Sequence, residues 1–241
     1  MVTSILDPYY FQELSVDPDI SIYNGIRNGY GQITINCREY PLNISGLRRA
    51  FAFAFNKTKV TEAWDGFSIE HDSLVPQVNE WCVEDQFDWH YYDARPDIGN
   101  QILDNLGFEI DGSTGFRLAP GGEPFNITVE HGACSCPPPG NVPQIAVDAL
   151  LSLHIDAKRR AVDFNNFIDR LDNHGSYDMI CYATNFNDND ITWLAYDYWS
   201  AYANVTGENP TNFANATYDS WRDQLLHGAS YDEIYQAAAE M

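Results

Sequence analysis

The acidic loop from Thr184 to Asp190 carries the side chains best suited to bind a charged ligand. It contains Asp188 and Asp190, and the aromatic residues Phe186 and Trp193 stand on either side of this pair. A carboxylate in a crevice that closes over a ligand pairs with an ammonium group through a charge-assisted hydrogen bond. Aromatic rings beside it can form the floor of a pocket. We therefore predict a ligand-binding site formed by Asp188, Asp190, Asn185, Phe186 and Trp193.

A purely structural role for this loop stays open. The run Asp188-Asn189-Asp190 could be a solvated turn, or it could cap the amino terminus of a helix that begins at Ile191. Phe186 and Trp193 could be core residues, which is the more common role of aromatic side chains at this spacing. The binding role and the capping role are compatible, and both can hold at once.

A hydrolase is the alternative from another functional class. Asp188 and Asp190 lie two residues apart and could perform acid–base catalysis, or Cys134 could act as a nucleophile beside His131. However, the chain has no nucleophile elbow, no phosphate-binding loop and no paired-histidine metal motif. We accordingly predict a binding protein with no catalytic residues, no metal and no cofactor.

Alternating strands and helices position the acidic loop. Residues 124–130, 160–164 and 177–183 have strand patterns, while 142–153 and 167–171 place apolar residues at helical spacing. A strand–helix–strand–helix–strand order implies parallel pairing. Ligands of open parallel sheets lie beyond the carboxyl ends of the strands. The acidic loop follows the last of these strands and so occupies that position.

The remaining segments extend the same α/β pattern. One more strand is predicted at 31–37, and Asn141 is predicted to cap the helix at 142–153. Loops are expected at 1–30 and 64–89, and a hairpin between 111 and 125. Gly107 is placed to end the helix before it. Further helices are predicted at 47–55, 95–106, 191–202, 216–226 and 231–239. With no repeat and no linker, the chain is predicted to be one domain.

The charge of the chain limits its partners. Asp and Glu outnumber Lys and Arg by 35 to 13, giving a formal net charge of −22 over 241 residues. Such a surface cannot neutralise a run of phosphates, so we predict no nucleic-acid partner and no anionic membrane surface. A cationic or zwitterionic ligand is easier to accommodate. No apolar run reaches the ~18–20 residues that span a bilayer.

Five Asn-x-Ser/Thr sequons hint at an extracellular surface protein. They begin at Asn43, Asn56, Asn126, Asn204 and Asn215. The chain starts without a signal-peptide pattern and stops within a helical pattern. We therefore expect either a cytoplasmic protein or a piece of a longer chain.

Several sequence blocks, taken in order, resemble the family 5 solute-binding proteins, the peptide- and nickel-binding components of ABC importers. Ile33-Thr34-Ile35-Asn36 and the helix from Leu47 to Lys57 resemble the family's strand ending in Asn and its following helix. Tyr92-Asp93 with Gly107-Phe108, and then Tyr177-Asp178-Met179, resemble two later blocks. The resemblance runs from about residue 20 to residue 241.

The resemblance implies the second lobe of a two-lobed clamp, with a periplasmic-binding-protein type II-like fold in which helices flank a parallel or mixed sheet. It implies a substrate-binding component that grips a peptide or similar small solute against its first lobe and delivers it to a membrane permease. The location implied is extracellular or periplasmic, and membrane-associated in the full-length protein. A surface sensor or adhesion domain on the same fold is a further alternative.

The resemblance also assigns roles within the acidic loop. In peptide-binding members the loop after the "Tyr-Asp-Met" strand reads Trp-x-x-Asp, and that Asp pairs with the α-ammonium of the ligand. The matching residues here are Asn185-Phe186-Asn187-Asp188. Asp188 therefore inherits the ammonium-binding role, Asp190 is the neighbour that could share or replace it, and Asn185 stands where the family has Trp.

Overall fold

A four-stranded mixed sheet organises the fold. The structure is a computed structural model that describes residues 8–23, 25–64, 67–133, 141–172, 177–186 and 189–241. The strands are β1 (Gly29–Ile35), β2 (Ile127–Gly132), β3 (Ala157–Val162) and β4 (Met179–Asn185), in the spatial order β1-β4-β2-β3. β2 pairs in parallel with both β3 and β4, and β1 is antiparallel to β4. The predicted parallel unit and the mixed α/β fold class are confirmed.

Nine α-helices lie in the described part of the chain. They are α1 (Pro8–Ser15), α2 (Ser45–Ala54), α3 (Lys57–Ala63), α4 (Pro96–Asn105), α5 (Val142–Ser152), α6 (Phe164–Asp172), α7 (Leu194–Asp197), α8 (Ala216–His227) and α9 (Tyr231–Glu240). Short 3₁₀ turns occur at Glu84–Gln86 and Ser200–Tyr202. Within the described ranges, no helix has both the length and the apolar character needed to cross a membrane.

The larger core fills one face of the sheet. Ile33 and Ile35 of β1 pair in register with Cys181 and Met179 of β4, so their side chains share this face. Helices α2 and α5 cover it with apolar residues at helical spacing. The buried members on these helices are Leu47, Ala50, Phe51, Ala54, Ile145, Ala146, Val147, Ala149 and Leu150.

Helix α6 covers part of the opposite face. Its Phe167 packs in a buried cluster with Tyr177 and with Ile180 of β4. The fully buried carboxylate of Glu130 on β2 reinforces this contact by accepting hydrogen bonds of 2.8 and 2.7 Å from Arg170 of α6. Arg160 of β3 pairs with the same carboxylate. Two guanidinium partners compensate for burying this negative charge inside the fold.

A separate apolar cluster joins the last three helices. Leu194 of α7, Leu225 of α8 and Ala237 of α9 are buried together with Val75 from the long segment after α3. Asn79 of that segment donates a hydrogen bond of 3.2 Å to the carbonyl of Asn189. The carboxyl-terminal helices and the segment near Val75 therefore support the acidic loop from one side.

Several predictions about individual elements need correction. Residues 8–15 form helix α1 where a loop was expected, and the unpredicted helix α3 follows α2. The helix expected at 191–202 is interrupted, so that only the short α7 and a 3₁₀ turn form. Asn141 adopts a left-handed φ of 49° and makes no side-chain capping bond, so it does not cap α5. Each of the four strands begins two to three residues away from its predicted first residue.

Two other local predictions are confirmed. Gly107 has a φ of 81° just after α4, which is the left-handed conformation that glycine adopts readily at a helix end. The turn after it is held by antiparallel bridges between Ile110 and Arg117 and between Leu118 and Pro124. These bridges form the hairpin expected before β2.

Candidate functional site

A narrow cleft opens on the sheet face opposite the larger core, beside α6. Tyr30 and Gln32 of β1 pair in register with Thr184 and Tyr182 of β4, so all four side chains point to this face. The cleft has a volume of about 50 Å³. Its other lining residues are Phe186, Trp193, Asp197, Tyr198, Pro210 and Thr211.

Phe186 and Trp193, two residues of the predicted site, form one wall of this cleft. Their rings stack with centroids 4.3 Å apart and an interplanar angle of 22°, and Tyr30 lies 5.6 Å from Phe186. Asn28 fixes the backbone of Phe186, accepting a hydrogen bond of 2.9 Å from its N–H and donating one of 3.1 Å to its carbonyl. The aromatic wall is thus positioned by the chain just before β1.

The other predicted residues lie away from the cleft or outside the described part of the chain. Asp190 is exposed, and its carboxylate accepts hydrogen bonds of 2.8 and 3.0 Å from the N–H and hydroxyl of Thr192. This geometry is an Asx turn and agrees with the solvated-turn alternative. Asp190 does not cap α7, whose N-cap residue is Trp193. Asn185 is exposed at the end of β4 and does not line the cleft. Asp188 lies outside the described residues, so its ligand-binding role stays a prediction.

Asp197 is an acidic residue of the cleft that the sequence analysis missed. It ends α7, and its backbone N–H donates a 2.9 Å hydrogen bond to the carbonyl of Trp193. The Asp197 side chain stays exposed to solvent on one side, but partial removal of its carboxyl from water raises the pKa of this group to about 6, and the negative charge of Glu208 adds to this effect. The i, i+4 spacing of Trp193 and Asp197, which puts both on one side of a helical turn, was the signal available in the sequence.

Three tyrosines line the cleft together with Asp197. Burial raises the pKa of Tyr30, Tyr182 and Tyr198, and the negative charge of Asp197 contributes in each case. The Tyr30 and Tyr198 hydroxyls share a hydrogen bond. These phenols therefore stay neutral at physiological pH, and the cleft combines aromatic surface, neutral hydroxyls and one carboxylate.

A second polar cluster lies next to the cleft, because the His71 ring is 5.6 Å from the Tyr30 ring. Burial lowers the pKa of His71, whose Nδ1 contacts Glu84. Ligand atoms of Asp72, Glu84 and His90 lie within 4.8 Å of one another, a spacing that a metal ion could bridge.

Hydrogen bonds already occupy the carboxylates of this second cluster. Asp72 pairs with the ammonium of Lys57 and accepts a bond of 2.8 Å from the N–H of Tyr91. Glu84 accepts bonds of 2.8 Å from the N–H of Asp72 and 2.7 Å from the hydroxyl of Tyr92. We interpret this saturated network as the structural support that ties the long segment after α3 to that helix.

Comparisons with known proteins agree with the fold. The model of the bacterial extracellular solute-binding proteins, family 5 Middle, matches residues 1–205. A comparison with curated protein sequences gave no significant match.

Solved structures provide the fold comparison. A periplasmic oligopeptide-binding protein of Thermotoga maritima with bound mannohexaose is 23% identical, with a TM-score of 0.72 over 89% of this chain and 41% of that chain. AppA from Bacillus subtilis in complex with a nonapeptide is 12% identical, with a TM-score of 0.77 over 90% and 42%. NikZ from Campylobacter jejuni in complex with Ni(L-His) is 14% identical, with a TM-score of 0.78 over 97% and 46%. This chain therefore spans less than half the length of the proteins that it matches.

Proposed function

Because this chain belongs to the bacterial extracellular solute-binding proteins of family 5, we propose that it is one lobe of the substrate-binding component of an ABC importer. In this proposal the lobe corresponds to the second half of a two-lobed clamp, and a ligand lies in the crevice between the lobes. Closure about a hinge then buries the ligand. The role is binding and delivery to a membrane permease, without catalysis.

The observation that carries this proposal is the aromatic cleft at the end of β4. Phe186 and Trp193 stack at 4.3 Å beside the polar edge of the sheet, where the acidic loop begins. Ligand sites of α/β folds lie at the carboxyl ends of parallel strands, and small-molecule pockets combine apolar walls with few polar groups. This cleft has both properties.

The ligand that we propose is a peptide or a similar small cationic or zwitterionic solute. The net charge of −22 attracts positive groups, and Asp188, Asp190 and Asp197 lie on or close to the acidic loop. Two of the compared structures contain a nonapeptide and Ni(L-His), which are amino-acid-derived ligands. The first contains mannohexaose, so the fold also accepts other solutes.

The cellular setting follows from the same proposal. The family is one of extracellular proteins, and we place the full-length protein outside the cytoplasmic membrane, associated with it, next to its permease. Its partners are the solute, the permease and a first lobe of the same protein. The excess of acidic residues makes a nucleic-acid partner unfavourable.

A peptide screen on a two-lobed protein that contains this chain tests the proposal. Calorimetry should detect a peptide that binds, and Asp188→Ala should weaken its binding by about 30- to 1000-fold, since an ammonium in the crevice loses its charged partner. Asp88→Ala is the matched control, because Asp88 is an exposed acid that does not belong to the acidic loop or to the cleft. Equal binding by wild type and Asp188→Ala would remove the ammonium role, and tight peptide binding by this chain alone would contradict the clamp.

A further inference from the structure

The cleft contains a carboxylate whose charge is not balanced within the described residues. Among them, no lysine, arginine or histidine forms an ion pair with Asp197. Arg222 lies on α8, the helix that packs against α7, but its guanidinium binds other groups. Its guanidinium donates a hydrogen bond of 2.7 Å to the Ala195 carbonyl and stacks 3.8 Å from the Trp199 ring.

In the part of the chain that the structure describes, the titratable groups close enough to interact electrostatically with Asp197 are tyrosines and one acid. Tyr30 comes from β1, Tyr182 from β4, Tyr218 from α8, and Glu208 from the segment before α8. Tyr198 completes the ring of phenols directly after α7. None of these groups carries a positive charge, so the surroundings make the ionised carboxylate less favourable and a cation more favourable.

We propose that Asp197 and the surrounding aromatic rings form a subsite for the primary ammonium head group of the transported solute, as on a lysine-like side chain. This inference rests on the solute-binding role proposed above and names the chemistry of one part of the ligand. The carboxylate of the subsite is not one of the acidic loop, because Asp197 lies on α7, whereas the loop contributes Thr184 and the stacked ring of Phe186 to the cleft.

Three properties of the cleft match an ammonium group. The carboxylate supplies a charge-assisted hydrogen-bond acceptor, and the rings of Tyr30, Tyr182 and Trp193 line the same cleft, where an ammonium could make cation–π contacts. The volume of about 50 Å³ has room for one small head group rather than for a whole solute. An ammonium on a flexible alkyl stem is compact enough to enter, while the stem can lie along the apolar rings.

The ionisation of Asp197 gives the subsite a pH dependence. Because the pKa of its carboxyl is raised to about 6, the carboxylate is the main form at neutral pH and is lost as the pH falls through that value. A bound cation favours the ionised form. Binding should therefore weaken on acidification from about pH 7.5 to about pH 5.

The test uses butylammonium as the probe and 1-butanol as its uncharged counterpart on the 241-residue chain. NMR would follow the indole N–H signal of Trp193, assigned with Trp193→Phe, in about 0.3 M NaCl to suppress unspecific attraction by the net charge. We expect saturable shifts with butylammonium, binding at least ~10-fold weaker for butanol, and a similar loss in Asp197→Asn. Asp88→Asn, which changes an exposed acid that neither lines the cleft nor belongs to the acidic loop, should bind butylammonium as the wild type does.

Equal responses to butylammonium and butanol, or unchanged butylammonium binding in Asp197→Asn, would overturn the subsite. The amide spectrum of Asp197→Asn shows whether that variant is folded, and Asp197→Glu, which keeps the charge, should retain part of the binding. This result is separable from the solute-binding role. Peptides that bind the two-lobed protein without any preference for lysine would leave that role standing and remove only the subsite.

Discussion

Asp197 lies in an environment that is unfavourable for the stability of the fold and that, in the subsite we propose, serves binding. Its carboxyl lies in an aromatic cleft that raises its pKa to about 6, against an ordinary value near 3.8. The folded state thus binds the proton more tightly than the unfolded state does. The ionisation of Asp197 therefore costs no folding stability at acidic pH. It lowers the free energy of unfolding progressively as the pH rises from about 4 to about 6.

Asp197→Asn should therefore stabilise the protein at neutral pH. The side chain is partly exposed, so solvent screening reduces the effect to ~1 kcal/mol, or a rise in Tm of about 2–4 °C near pH 7.5. Near pH 3.5 the difference from wild type should vanish, because Asp197 is then protonated in both states. Thermal unfolding followed by circular dichroism at both pH values measures this.

Asp190→Asn is the control for the same substitution outside the cleft, and it should not raise the Tm, because Asn caps a turn about as well as Asp. A Tm for Asp197→Asn that is lower than wild type at neutral pH would show that the carboxylate is already satisfied.

The sequence reveals only part of this site, for a physical reason. Phe186 and Trp193 can be found because they flank a loop at the end of a predicted strand. Asp197 was missed because the cleft that changes its environment is assembled from β1, β4, α7 and Pro210–Thr211, which are far apart in the chain. No local sequence pattern indicates such an assembly. The i, i+4 relation between Trp193 and Asp197 points to a shared site only when the position of the cleft is known.

At the level of elements, the helices with strong apolar periodicity could be predicted and the others could not. Helix α2 buries residues at i, i+3, i+4 and i+7, and this spacing of apolar residues is visible in the amino-acid sequence alone. Helix α3 has no buried residue, and α7 has only four residues, so neither has a periodic apolar stripe. Their existence depends on caps and tertiary contacts, such as the bond from Asn56 to the N–H of Lys59.

The contact between α2 and α4 requires a glycine that the sequence pattern does not explain. A Cβ atom on Gly99 would lie 2.7 Å from the backbone carbonyl oxygen of Ala50 and 2.7 Å from a methyl of Leu153. Both distances are too short for real contacts, and the Ala50 backbone cannot move without shifting α2. Gly99 therefore sets how closely the two helices approach.

Gly99→Ala should destabilise the protein by ~1–3 kcal/mol through overpacking, although the same change in an open helix would stabilise it by about 1 kcal/mol. Urea unfolding of the two proteins measures the difference. Gly112→Ala is the control, since nothing lies within 4 Å of its Cβ position. Equal stability of wild type and Gly99→Ala would mean that α4 can move away from α2 at little cost.

At the level of the whole molecule, the net charge of −22 dominates the electrostatics. Like charges at this density repel one another in the folded state more than in the expanded chain. Salt screens exposed charges over about 10 Å at 0.1 M and about 3 Å at 1 M. The thermal stability of the folded protein should therefore depend on the ionic strength of the buffer.

Raising KCl from about 0.05 M to about 1 M should increase the Tm by on the order of 5 °C, because the repulsion is screened. Differential scanning calorimetry at constant pH measures this. A variant with Asp88, Glu109 and Glu123 changed to Lys, three exposed acids, should show a smaller salt response. A Tm that is independent of KCl, or an equal rise in Tm for this variant, would show that charge repulsion on the acidic surface does not destabilise the folded state.

The structure of a two-lobed protein that contains this chain, solved with a lysine-containing peptide, tests the central claim most directly. We expect the peptide between the lobes, against Phe186 and Trp193, with its lysine ammonium at hydrogen-bond distance from the Asp197 carboxylate. A peptide bound on another surface, with this cleft facing solvent, would contradict the account.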